Sequence, residues 1–353
     1  MIYFEIVALS FFCIAFLQIG YMLIYLKIVK NRRRKYQKWK NIADLLVSEA
    51  IFNESAEVNQ VIFPINHRTE ILLKSARFRK ILTKELLLAK KNVSGAAGLF
   101  LQKLYLQLNL DQYALKNLLS KKWHLKAKAI QDIGIMNLKV HLSKIYRQTN
   151  NKNELVRMEA QIAVIKLIGF DGLRFLDVVS YQINDWQQIK LLSELSHLPE
   201  NNFNGIENWL LSKNDSVVIF ALKLIKSFHR FELYQQVEAC LLHLSVNVRY
   251  QAILALEKIY TEATSQMLLK QYVIEVVKNQ IAIVKTLQHI GGEDDIPQLI
   301  SFLKDEAPEQ KRSIVRTIAN ISENGLIQLR LHPEADMAPL SLIIKQIEGE
   351  LSA

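Results

Sequence analysis

Histidine, cysteine and carboxylate side chains are the groups that most often hold metals or move protons. In this chain they are scattered. The eight histidines stand at 67, 124, 141, 197, 229, 243, 289 and 332. His229 and His243 are 14 residues apart, on what read as neighbouring helices, and a structural or surface role outweighs a metal pair there. Glu293, Asp294 and Asp295 follow Gly291 and Gly292, and three acids at a helix start are explained by capping and by the helix dipole. Cys13 falls in an apolar stretch, so no disulfide framework is expected, and Cys240 reads as a small buried hydrophobe. Gly95-Ala-Ala-Gly98 lacks a preceding strand and is no phosphate loop. No dinucleotide fingerprint, zinc-protease helix, nucleophile elbow or C-x-x-C pair occurs. No catalytic residue, cofactor, metal or small-molecule substrate is expected, and the chain reads as a non-enzyme.

The elements around these residues read as helices. The 353 residues include only 11 Gly and 6 Pro, and helix-favouring Leu, Ile, Lys, Gln, Glu and Ala dominate. Alternating runs bounded by turns are few, so a sheet is not expected. The net charge of +11 is unevenly spread. Residues 1–40 carry eight bases and one acid, residues 41–65 four acids and no base, and residues 66–91 eight bases and two acids. The remainder, 92–353, holds 29 bases and 27 acids. Basicity is therefore concentrated near the N-terminus, which argues against nucleic-acid binding by the long C-terminal part.

Residues 6–26 carry no formal charge, and as a helix they would be about 31 Å long, close to the ~30 Å hydrocarbon core of a bilayer. Lys27, Lys30, Arg32, Arg33, Arg34, Lys35, Lys38 and Lys40 follow, with no small-residue cleavage site. This pattern predicts a retained single-pass transmembrane anchor over 1–29, the N-terminus outside and residues 30–353 cytoplasmic. The eight bases form a collar facing membrane lipid. Residues 30–91 read as a basic juxtamembrane helical linker or cap, in which Arg77, Arg79, Lys80 and Lys84 offer a basic partner face.

Residues 92–353 repeat. Val156-Arg157…Ala160…Ile165…Ile168-Gly169 matches Val248-Arg249…Ala252…Ala255-Leu256…Ile259, and a register at 129, 160, 191, 221, 252, 283 and 314 fills the interval in steps of 30 or 31. Each unit is two apolar-periodic stretches joined by a polar break, and such helix pairs bury their apolar sides only by stacking. Pro339–Leu351 reads as a closing helix with Leu340, Ile343, Ile344 and Ile347 on one side. The pattern resembles HEAT repeats of the short bacterial type over roughly 120–325. That resemblance implies an all-α fold: a right-handed α-solenoid of helix pairs with a ~31-residue period, here preceded by one transmembrane helix. It also implies that Arg157 and Arg249 form a structural ladder between turns, with a partner groove as the other role. The function expected is a membrane-anchored scaffold for protein–protein interaction, with a membrane-associated client such as an envelope or polysaccharide-assembly enzyme. A nucleic-acid-binding module, and a lyase-like enzyme on the same scaffold, are the alternatives.

Overall fold

The computed structural model describes residues 2–53, 61–197, 203–304 and 306–351, and of residues 2–13 and 15 the backbone alone. It divides into two units, Met1–Gly172 and Leu173–Ala353. The first holds α1 (Ile2–Ile51), α2 (His67–Leu73), α3 (Ala76–Asn92), α4 (Gly95–Gln107), α5 (Leu110–Leu118), α6 (Trp123–Ile135), α7 (Leu142–Tyr146) and α8 (Glu154–Ile168). The second holds α9 (Asp185–Leu195), α10 (Ile206–Leu210), α11 (Asp215–Phe228), α12 (Tyr234–Ala239), α13 (Val246–Leu256), α14 (Thr264–Tyr272), α15 (Val277–Ile290), α16 (Ile296–Ser301), α17 (Pro308–Ile321), α18 (Gly325–Arg330) and α19 (Leu340–Leu351). Among the described residues there is no strand.

The helices repeat. α6, α8, α9, α11, α13, α15, α17 and α19 begin at residues 123, 154, 185, 215, 246, 277, 308 and 340, so each step is 30 to 32 residues. The seventh residue of the first seven is Ala129, Ala160, Leu191, Ala221, Ala252, Ile283 or Ile314, and all are buried. Starts are set locally. Asn153, Asn184 and Asn214 precede α8, α9 and α11, and each side chain accepts a backbone N–H of the first turn. The chain is thus an all-α helical repeat protein.

Within Leu173–Ala353 the long helices lie side by side, α11 on α13, α13 on α15, α15 on α17 and α17 on α19. The short helices α10, α12, α14 and α16 each pack on the long helix that follows, and α18 packs on α17. One side of every long helix is thereby sealed. In α19 this side is Leu340, Ile343, Ile344 and Ile347, all buried, as their spacing predicts. Within Met1–Gly172, α6 packs on α5 and α8, and the C-terminal part of α1 packs on α3 and α4. Ala43, Leu46, Val47 and Ala50 are buried there, and Trp39 meets Phe78 edge-on at 6.0 Å.

The expectation of a membrane anchor does not hold. No helix among the described residues is long and apolar enough to cross a membrane. The single-pass assignment, with the N-terminus outside and residues 30–353 cytoplasmic, is withdrawn with it. Residues 6–13 and 15 of the expected span lie outside the described side chains. Past Leu26 the same long helix α1 runs on through Lys27, Lys30, Arg32, Arg33, Arg34 and Lys35, so its described part is too rich in charge to sit in hydrocarbon. Lys27, Lys30, Arg32, Arg33, Arg34, Lys35 and Lys38 are exposed along α1 and Lys40 is half-buried, so the lipid-facing reading of this collar falls with the span.

The packing of short on long helices is tight enough to test. A Cβ added at Gly325 would stand 2.4 Å from the Ile318 carbonyl oxygen and 3.0 Å from Ile318 Cγ2. At Gly349, in α19, it would meet nothing within 4 Å. Gly325→Ala is expected to cost about 1–3 kcal/mol and to lower Tm by several degrees. Gly349→Ala should leave Tm unchanged or raise it, by up to about 1 kcal/mol of helix propensity. Thermal unfolding followed by circular dichroism compares the two. Equal Tm values would refute the close approach of α18 to α17.

Candidate functional site

Three arginines occupy one structural position. Arg79, Arg157 and Arg249 are each the fourth residue of their helix, α3, α8 and α13. Nη1 of Arg157 donates to the carbonyls of Asn151 at 2.8 Å and Lys152 at 3.4 Å. Nη1 of Arg249 donates to His243 at 2.9 Å and Leu244 at 3.1 Å. Nη1 of Arg79 donates to Leu73 at 2.6 Å and Lys74 at 2.9 Å, and its guanidinium lies 3.7 Å from the Tyr113 ring centre. Each closes the turn that leads into its own helix. Arg77, Lys80 and Lys84 are exposed on the other side of α3, so the structure does not gather them with Arg79.

Arg249 has a second task. Its Nε and Nη2 donate to Glu275 at 2.7 and 3.1 Å. The Glu275 side chain is fully buried and also accepts from Gln271 and Asn279, both at 2.9 Å. Burial alone would raise its pKa. The bonds from Arg249, Gln271 and Asn279 outweigh it and hold the carboxyl below the usual glutamate value. Sequence reading missed this group. Its signal is the run of polar residues Gln271, Glu275 and Asn279 across the end of α14, the turn and the start of α15, amid apolar neighbours.

The residues with potential chemistry are occupied structurally. His229 is the left-handed C-cap of α11 with φ of 49°. His243 Nδ1 accepts from Ser245 N at 3.1 Å. Asp295 accepts from Gly292 N at 2.9 Å and Gln266 Nε2 at 2.6 Å, closing the turn before α16. Burial pushes the Cys240 thiol up to about 11, which keeps it protonated and unreactive. His141 lies 3.8 Å from Asp111, and burial lowers its pKa, which favours the neutral ring. Among the described residues no group of three or more His, Cys, Asp or Glu could hold a metal ion. A groove of about 920 Å³ lies beside Asp177, Trp209, Lys213 and Asn214. Trp209 Nε1 donates to Asp177 at 2.6 Å, and Asn214 caps α11 and donates to the Tyr181 carbonyl.

What remains unsatisfied is a surface. On the open side of the long helices, the residue two before each buried register position is Ile189, Ile219, Tyr250, Ile281 or Arg312. The residue two after is Ser193, Lys223, Leu254, Lys285 or Arg316. All ten are exposed or half-buried. Trp186, also exposed, lies at the edge of α9 with the Lys190 ammonium 4.8 Å from its ring centre. The Lys278 ammonium lies 4.6 Å from the Tyr250 ring centre and 2.9 Å from Asn247 Oδ1. Lys223 pairs with Asp185 across α11 and α9 at 2.9 Å, and that pairing lowers the Asp185 pKa. Arg316 pairs with Glu350 across α17 and α19. The result is an aliphatic and aromatic strip edged with cations. Sequence reading located its buried neighbours and stopped short of it, although an offset of two residues from the register finds its ten outward positions.

No protein family matches the chain, and no curated protein does. Among solved structures it is similar to an engineered protein, with a TM-score of 0.40, 14% identity and coverage of 90% of this chain and 95% of that one. It is also similar to a structure described as the basis of tubulin recruitment and assembly by microtubule polymerases with tumor overexpressed gene (TOG) domain arrays. There the TM-score is 0.26 and the identity 12%, over 89% of this chain and 87% of that one.

The buried carboxylate makes a prediction with a definite sign. Removing one partner of a buried ion pair strands the other, at about 3–5 kcal/mol. Glu275→Ala should therefore lower the unfolding free energy of the protein by about 3 kcal/mol in urea titration. Because the folded pKa of Glu275 is depressed, its contribution is complete above the unfolded value of about 4.3 and is lost as pH falls through the folded value. The acid limb of the stability profile should accordingly be shallower in Glu275→Gln than in the parent. Parallel acid limbs would show that Glu275 is not held ionised.

Proposed function

We propose that this protein is a non-enzymatic scaffold that binds another protein along the open side of α9, α11, α13, α15 and α17. One observation carries the reading: apolar residues recur once per repeat on this open side, Ile189 exposed and Ile219, Tyr250 and Ile281 half-buried, joined by half-buried Leu254. Single apolar side chains on a surface are ordinary. A row that the repeat brings into register is a contiguous strip, and such strips mark interaction sites. Helical repeats build extended binding surfaces in this way, each unit adding one row. The absence of catalytic motifs in the sequence and the structural use of His141, His229, His243, Cys240 and Asp295 support a binding role over catalysis.

The test is crosslinking in intact cells followed by affinity purification and mass spectrometry. The parent chain is compared with Ile219→Glu/Ile281→Glu, and with Lys116→Glu on α5 of the other unit as control. The parent and the control should recover the same small set of proteins, and the strip variant should lose it at least about tenfold, as expected when charge is buried in an apolar contact. An identical set from all three would remove the strip as the binding site. Activity of the purified chain on a substrate would remove the non-enzymatic reading.

A further inference from the structure

We infer that the partner presents an acidic amphipathic helix, which lies across α11, α13, α15 and α17 with its apolar side on the strip and its carboxylates on the flanking cations. This rests on the protein-binding reading above and adds the chemistry of the partner. Four cations border the strip without an ion pair among the described residues: Lys190, Lys278, Lys285 and Arg312, of which Arg312 acts on Glu350 only through space. They are steadied by neutral groups instead. Lys190 and Lys278 sit against Trp186 and Tyr250, and Arg312 donates to Gln346 at 2.9 Å. Lys285 is exposed next to Ile281 on the same helix. On the acid side, Asp185 and Glu350 are already committed to Lys223 and Arg316, and Asp215 and Glu309 stand exposed in the first turns of α11 and α17. Four cations against two carboxylates leave the charge beside the strip positive on balance, and an arriving carboxylate finds donors there to bond it.

The same features disfavour a nucleic acid. Phosphate tracks need a continuous basic groove, and Asp185 and Glu350 interrupt this one beside Lys223 and Arg316. Bases stack on aromatic rings, whereas most of the strip is aliphatic (Ile189, Ile219, Leu254, Ile281) and its two rings, Trp186 and Tyr250, already carry Lys190 and Lys278. Packed helices lie about 8–10 Å apart, so the steps from α11 to α17 span roughly 24–30 Å. A helix of about 16–20 residues has that length.

The test uses a fluorescein-labelled helical peptide of about 18 residues. Leu recurs along it every third or fourth position, Glu flanks the Leu stripe, and Ala fills the rest. Its twin carries Lys for Glu, and a single-stranded DNA of about the same extended length is the third probe. Fluorescence anisotropy is read against the full chain, its Lys285→Glu/Arg312→Glu variant and its Ile219→Glu/Ile281→Glu variant, with circular dichroism confirming that all fold. The Glu peptide should bind, the Lys twin should bind at least about tenfold more weakly, and each double variant should weaken the Glu peptide about tenfold or more. Equal binding of the two peptides, or binding of neither, overturns the acidic-helix inference. The cell crosslinking result then decides separately whether the strip binds protein at all. Tighter binding of DNA than of the Glu peptide overturns the inference in favour of a nucleic-acid partner.

Discussion

Side-by-side packing of long helices is the constraint on which everything else in Leu173–Ala353 depends. Two helices approach closely only where the side chains between them are small or interlock. Ala221 and Ala252 are fully buried at the same position of α11 and α13, while Ile283 and Ile314 fill that position in α15 and α17. The register must recur at the repeat interval, because a change of phase would rotate a long helix and move its apolar side away from its neighbour. Once the buried side is set by this contact, the opposite side of every long helix is set too. The exposed strip is therefore a geometric consequence of the core.

The best-supplied polar group inside the repeat is the Glu275 carboxylate. Glu275 stands at the turn before α15, beneath Arg249 at the start of α13, so one ion pair joins two successive units. Arg249 also closes its own turn, and Gln271 and Asn279 take up further Glu275 lone pairs. Arg157 and Arg79 perform the turn-closing half of this role in the other unit. An interior cation-carboxylate pair adds little net stability over an apolar pair but is costly to break. Its presence at one junction fixes the phase of α13 against α15 more narrowly than aliphatic packing does.

Much of this was legible in the sequence. The spacing of Ala129, Ala160, Ala221 and Ala252 declares the period, because small residues at a fixed interval report close approach. Asn153, Asn184 and Asn214 report helix starts, and Leu340, Ile343, Ile344 and Ile347 report the buried side of α19. Other features were hidden for physical reasons. Charge alone places Arg79 with Arg77, Lys80 and Lys84, whereas its position in the helix places it with Arg157 and Arg249. Glu275 looks like a surface acid until the chain around it is folded. At the N-terminus, freedom from charge over residues 6–26 measures how apolar a stretch is. It does not supply a described helix that is both long and apolar enough to cross a membrane, and the anchor inferred from it did not hold.

The strip poses a question of economy that its own composition answers. A repeat that needed only to fold could carry Lys, Glu or Gln at each outward position, and these favour helix as well as Ile or better. β-Branched Ile at 189, 219 and 281 gives up helix propensity and leaves apolar surface open to solvent, fully at 189 and in part at 219 and 281. Cations then border the strip in pairs with Trp186 and Tyr250, so that charge stays at its edge and the centre stays dry-facing. A partner that covers the strip removes the exposed area and meets those cations at its rim, which is the arrangement of apolar core and polar rim that stable interfaces share.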